Sequence, residues 1–165
     1  MEQTIRPIEA ADNLGMASVI REVMTEFGAV GEGFSIEDPE VDGMFEAYAG
    51  EGHCFNVVVR AGRVLGGAGV APLQGGVAGV CELRKMYVAG EARGLGVGRD
   101  LMKLCLRQAF ELGIERCYLE TLGSMGRARK LYQGFGFQDI PGPLGDTGHG
   151  GRDKWMMLEL KPSNA

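Results

Sequence analysis

The sequence predicts a mixed α/β domain, a central sheet covered by helices, and three features carry that expectation. Two strand-like runs, Cys54 to Arg60 and Val64 to Ala71, are joined by the short link Ala61-Gly62, which is of hairpin type. A strand-like run, Val80 to Val88, leads through a glycine-rich segment into a helix with a continuous apolar stripe. Strand and helix patterns then alternate again from Arg116 to Phe135, and together with the earlier hairpin this implies a mixed sheet in which strand–helix–strand crossovers make parallel pairs.

Taken in order, Thr4 to Pro7 reads as a short edge strand. Asp12 is placed to cap a helix bearing Ala17, Ile20, Val23, Met24 and Phe27 at helical spacing, stopped by Gly28. Residues 28–38 form a loop with glycines and acids. Val41, Met44, Phe45 and Tyr48 then mark a second short helix that ends at Gly50. In the strand from Val64, the glycines Gly66, Gly67 and Gly69 weaken the strand but allow a bulge or the close approach of another backbone. The helix from Gly98 to Leu112 places Leu101, Met102, Cys105, Ala109 and Leu112 on its core face, opposite Lys103, Arg107 and Glu111. Arg116 to Thr121 is a fifth strand. Ser124 is the expected N-cap of a helix from Met125 to about Phe135 that turns Ala128, Leu131 and Phe135 inward. Pro141 to Arg152 reads as glycine-rich loop and Lys154 to Leu160 as the closing strand.

Size and composition fit a single domain spanning residues 1–165, with 45% hydrophobic and 24% charged residues. The start of the chain has no signal-peptide pattern and no apolar run is long enough to span a membrane, so a cytoplasmic protein is expected. A net charge of −5 argues against a general nucleic-acid partner, whose binding draws on clustered Lys and Arg. Cys54, Cys81, Cys105 and Cys117 show no metal-ligand spacing; they read as small buried hydrophobes, and no metal is expected.

The segment from Val88 to Gly98 carries the chemistry. A strand ends, Gly94, Gly96 and Gly98 follow at alternate positions, and a helix starts at once. Glycines let backbone approach a ligand closely, and the first N–H groups of a helix lack internal acceptors, so the arrangement can cradle a phosphate. Arg93 can add charge-assisted hydrogen bonds. The spacing fits neither the dinucleotide fingerprint nor the P-loop, which ends in Gly-Lys-Ser/Thr where this chain has Gly98-Arg99-Asp100.

Arg93-Gly94-Leu95-Gly96-Val97-Gly98 resembles the Arg/Gln-x-x-Gly-x-Gly/Ala signature of the GNAT superfamily of acyl-CoA-dependent N-acyltransferases. The run Leu131-Tyr132-Gln-Gly-Phe-Gly136-Phe137 resembles that family's Leu-Tyr-x-x-x-Gly-Phe element, and the likeness covers residues 54–140. It implies a mostly antiparallel sheet of about six to seven strands with about four helices, in which strands four and five splay apart. It also implies an acetyl-CoA-dependent N-acetyltransferase acting on a primary amine of a small molecule or peptide, with a catalytically silent acyl-CoA sensor as the alternative; a homodimer stays open. By the same resemblance acetyl-CoA lies against Met86, Tyr87 and Val88 and in the cradle Arg93, Gly94, Leu95, Gly96, Val97, Gly98 and Arg99, with Tyr132 as general acid toward the leaving thiolate. Met125 replaces an asparagine frequent in the family, which removes one amide contact to the pantetheine arm. Glu82, six residues before Val88, matches the basic glutamate of the histone-acetyltransferase branch; as a plain surface acid it would pair with Arg84 on the same strand face. Glu120, His149 and water are the other base candidates, His149 being a loop histidine that would ordinarily be solvated. Loop acids Glu32, Glu37, Asp38, Asp146 and Asp153 are expected to favour a cationic amine.

Overall fold

The computed structural model describes residues 2–31 and 34–164, so Glu32 lies outside the described residues. It holds one seven-stranded sheet in the order β1-β2-β3-β4-β5-β7-β6. The strands are β1 (Thr4–Pro7), β2 (Cys54–Arg60), β3 (Arg63–Pro72), β4 (Val80–Val88), β5 (Arg116–Thr121), β6 (Gln138–Ile140) and β7 (Lys154–Glu159). Every neighbouring pair is antiparallel except β4 and β5. The helices are α1 (Asn13–Glu26), the short α2 (Met44–Ala47), α3 (Val97–Glu111) and α4 (Gly126–Gly134).

Two apolar layers clamp the sheet. On one face α3 buries Leu101, Met102, Cys105, Leu106 and Ala109 against Val58, Leu65, Val70, Leu83 and Leu119. On the other, α1 buries Met16, Ile20, Val23 and Met24 against Phe55, Val57 and Tyr87. Burying side chains of this size stabilises a fold by roughly 1.5–3 kcal/mol each. The close approach expected at the β3 glycines is present: a Cβ on Gly69 would lie 2.4 Å from the Cys54 carbonyl oxygen, and one on Gly66 2.7 Å from that of Tyr87. The hairpin link also holds, with Ala61 and Gly62 both at positive φ, 52° and 75°, the signature of a type I′ turn. Cys81, Cys105 and Cys117 are buried as expected, while Cys54 is half-buried.

Three local expectations need correction, and one strand carried no sequence signal. Asp12 does occupy the N-cap position of α1, but its side chain makes no capping hydrogen bond; its carboxylate turns back to accept from the Glu9 N–H at 2.7 Å and from both Arg6 Nη atoms at 2.8 and 3.0 Å, because a guanidinium is the stronger donor within reach. Ser124 is not the N-cap of α4, since Met125 occupies that position. Leu112 is 47% exposed, because it is the C-cap of α3, where the helix leaves the sheet. Gln138–Ile140 pairs with β7, a strand too short and polar to show an alternating pattern. Among the described residues no helix is long and apolar enough to cross a membrane.

Candidate active site

β4 and β5 are paired only from Val80 to Glu82, against Arg116 to Tyr118, and no ladder joins them beyond that point. The splay opens a cavity of about 350 Å³ between the strand ends. Its walls include Met86, Tyr87 and Val88 of β4, Arg93, Gly94, Gly96, Val97, Gly98 and Arg99 of the cradle, Leu119, Glu120 and Thr121 of β5, Ala128, Leu131 and Tyr132 of α4, and Glu82, His149 and Arg152; the Leu95 side chain, 55% exposed, is not among them. The structure thus brings Tyr132 and Glu82 to the same cavity as the glycine-rich cradle.

At the cradle, Gly94 and Gly96 have φ of 80° and 78°, which demand glycine, and nothing lies within 4 Å of where their Cβ atoms would be. Gly96 is the N-cap of α3, and the Asp100 N–H makes the bond back to its carbonyl at 3.1 Å. The N–H groups of the first helical turn therefore face the opening without intrahelical acceptors. Arg93 lines this opening, but its guanidinium is already engaged within the protein. Its two Nη atoms donate to the Glu26 carboxylate at 2.7 and 2.8 Å, its Nε donates to the Val88 carbonyl at 3.0 Å, and its guanidinium lies 5.6 Å from the centre of the Phe27 ring.

The Tyr132 ring is buried at 6% exposure and packs edge-on against Phe137, with centroids 6.0 Å apart. No hydrogen bond holds its hydroxyl among the described residues. Burial, helped by Tyr87 and opposed by Arg152, pushes the phenol above its ordinary pKa, so it stays protonated. Arg152 reaches the same wall, donating to the Tyr87 hydroxyl at 2.8 Å and the Glu120 carbonyl at 3.1 Å. Neither Arg152 nor Tyr87 carried a sequence signal for this pairing.

Another part of the cavity wall, its polar end, is formed by largely buried charged side chains. Glu82 is 2% exposed and bound by Arg84 Nε at 2.7 Å, so the same-face pairing of these two residues is real but buried rather than on the surface. Burial raises the Glu82 pKa, Arg84 opposes that, Glu120 adds to it and His149 opposes it; the net direction is upward. Glu120 accepts from two donors, Tyr118 Oη at 2.6 Å and Thr147 Oγ1 at 2.7 Å, and has the His149 ring as a charge neighbour with Nδ1 at 3.7 Å. Burial disfavours its charge, but His149, Tyr118 and Thr147 together outweigh burial and hold it below the usual carboxylate range. His149 is not solvated. Its Nε2 lies 2.8 and 3.1 Å from the Asp38 carboxylate oxygens; burial works against the imidazolium, yet Asp38 and Glu120 lift its pKa to about 9.

Lys85 completes this network from a bulge the alternation in β4 did not announce. Gly67 pairs with Tyr87 but Gly69 with Arg84, so Lys85 and Met86 together oppose Ala68, and Lys85 takes φ 52°. Its ammonium is 1% exposed and bonds Asp38 at 2.6 Å and Glu40 at 3.2 Å. The expected loop acids behave differently: Glu37, Asp146 and Asp153 are exposed, and Asp38 is spent on Lys85 and His149. Among the described residues, the carboxylates lining the cavity are Glu82 of β4 and Glu120 of β5. Glu82, Glu120 and His149 place ligand-type atoms within 4.8 Å of one another. Each is already engaged by Arg84, by Tyr118 and Thr147, or by Asp38, so the arrangement is an ion-pair network and no metal is assigned to it.

The comparisons agree with the geometry. The Acetyltransferase (GNAT) family model matches residues 17–137. The chain is 40% identical over 157 residues to an uncharacterized N-acetyltransferase, YjgM, of Escherichia coli (strain K12), covering 94% of both proteins. Among solved structures, a GNAT superfamily phosphinothricin acetyltransferase from Sinorhizobium meliloti in complex with AcCoA shares the fold at TM-score 0.75 and 21% identity, over 97% of this chain and 89% of that one. The protein yncA of Salmonella typhimurium, solved with its cofactor acetyl-CoA, aligns at TM-score 0.74 and 19% identity over 98% and 95% of the two chains.

Proposed function

The chain belongs to the GNAT acetyltransferase family and is an acyltransferase; on that footing we propose that it transfers the acetyl group of acetyl-CoA to a primary amine of a small molecule or peptide by direct attack. The observation that carries this reading is the shared cavity, which joins an open helix-terminus cradle to an unbonded phenol and a buried carboxylate. The pyrophosphate sits on the N–H groups after Gly94 and Gly96, and the pantetheine arm runs along Met86 to Val88. For Arg93 to meet a phosphate, its guanidinium must exchange Glu26 for the ligand.

The amine nitrogen attacks the thioester carbonyl, Glu82 takes the proton that the nitrogen loses, the C–S bond breaks, and Tyr132 gives its proton to the departing thiolate. Glu82 suits the base role better than its rivals: Glu120 is anchored by its donors, and His149 already carries a proton at neutral pH. Two similar solved proteins hold acetyl-CoA, which supports the choice of acyl donor.

The test is a screen of amines with thiol release as readout, followed by single-turnover measurement on Tyr132→Phe. That variant keeps the ring packed and is expected to transfer acetyl about 100-fold more slowly, with acetyl-CoA affinity within a few-fold of the parent. An unchanged rate removes Tyr132 as the acid. Tight acetyl-CoA binding without turnover on any amine would make the chain an acyl-CoA sensor instead.

A further inference from the structure

The polar end of the cavity contains more charge than one proton transfer requires, and its arrangement has a consequence for the base. Glu82 and Glu120 sit side by side, with atoms of both and of the His149 ring all within 4.8 Å. Two neighbouring carboxylates oppose each other's ionisation. His149 enters from the loop before β7, and its two nitrogens face two different carboxylates, Nε2 toward Asp38 at 2.8 Å and Nδ1 toward Glu120 at 3.7 Å. A neutral imidazole has a single N–H and would aim its lone pair at one of them, so the surroundings favour the doubly protonated ring.

We propose that His149 is a positioning residue acting through Glu82: fixed as a cation between Asp38 and Glu120, it offsets the second carboxylate and keeps Glu82 charged and able to accept the amine proton. The proposal rests on the reading of Glu82 as base. Glu82 is faced by Arg84 from its own strand, by Cys117, Tyr118 and Glu120 from β5, and by His149 from the loop. His149 is faced by Asp38 and Lys85 beside its Nε2 and by Glu120 and Glu82 on its other side. Without the imidazolium, Arg84 alone would oppose burial and the repulsion from Glu120.

A direct test needs no knowledge of the acceptor. Protein labelled with carboxyl-¹³C glutamate, with Glu82→Gln to assign the signal, is titrated by NMR as the parent, His149→Gln and His149→Lys. The Glu82 midpoint is expected to rise by roughly 1 pH unit or more in His149→Gln, the size expected when a neighbouring opposite charge is lost, and to stay near the parent value in His149→Lys. A midpoint unmoved in folded His149→Gln, or moved as far in His149→Lys, overturns the proposal. Should His149→Gln fail to fold, the ¹⁵N shifts of the parent ring decide, with His53→Gln identifying the other histidine: both nitrogens protonated at pH 7 supports the proposal, and a neutral ring overturns it. Single-turnover transfer by Glu82→Gln separates the two readings. A parental rate there removes the base and this proposal together, whereas a slow rate with an unmoved midpoint removes only the role of His149.

Discussion

The cradle comes from seven consecutive residues, Arg93 to Arg99, whereas the polar end is assembled from Asp38, Glu82, Glu120 and His149 on four separate segments. The cradle works through backbone: two positive-φ glycines and a helix start present N–H groups, with no titratable group needed to shape it. The polar end works through side chains whose charges must cancel in a largely buried wall, where an uncompensated charge is costly. A backbone site should tolerate pH and fail on a single change of shape, whereas a charge network should tolerate small changes of shape and fail on pH.

The largest effect that would test this contrast is at the cradle. Gly96→Val places a β-branched residue at φ 78° and pushes side-chain atoms into the opening, so acetyl-CoA binding should be lost in titration calorimetry. The left-handed strain costs only about 1–2 kcal/mol, so the thermal transition should drop by several degrees without disappearing. Retained affinity in a folded Gly96→Val protein would move the cofactor elsewhere.

Glu82→Gln, at the other end, should slow single-turnover transfer by roughly 10²–10⁴-fold while leaving acetyl-CoA affinity near the parent value. A large loss of affinity would show that the two ends are not independent.

The pH dependence of stability should be a property of the polar end. The folded His149 pKa of about 9 lies above its unfolded value near 6.5, so its stabilisation is complete below pH 6.5 and is lost as pH rises to about 9. The loss is up to about 3 kcal/mol. Asp38 and Glu120, held below the ordinary range, lose their share on the acid side instead. Thermal melts from pH 6.5 to 9 should show a falling Tm, with the slope reduced in His149→Gln; a parallel slope would place the titration elsewhere.

The smallest effect sharpens the one point where the cradle does depend on charge. Glu26→Gln releases Arg93 from its two-pronged contact, and acetyl-CoA should then bind a few-fold more tightly. Unchanged affinity here, together with unchanged affinity in Arg93→Ala, would take Arg93 out of the phosphate site.

What was legible in the sequence was local. The glycine alternation before α3, the hairpin at Ala61-Gly62 and the stripes of α1 and α3 each depend on residues within a few positions of one another, and the structure contains them all. The exceptions are local too: Ser124 and Asp12 are good capping residue types, but which acceptor meets which donor depends on neighbours such as Arg6 that arrive from another element. The polar end was only half legible. Glu82 stood out by its distance from Val88, but its partners did not, because His149 in its glycine-rich loop and Lys85 in its strand look like solvated side chains when read alone. The sequence by itself determined the cradle, since backbone conformation is set over a few residues. Only the tertiary structure decided the ion-pair network and the aim of Arg93, since a charge is tuned by whatever folds to within a few ångströms of it, however distant in the chain.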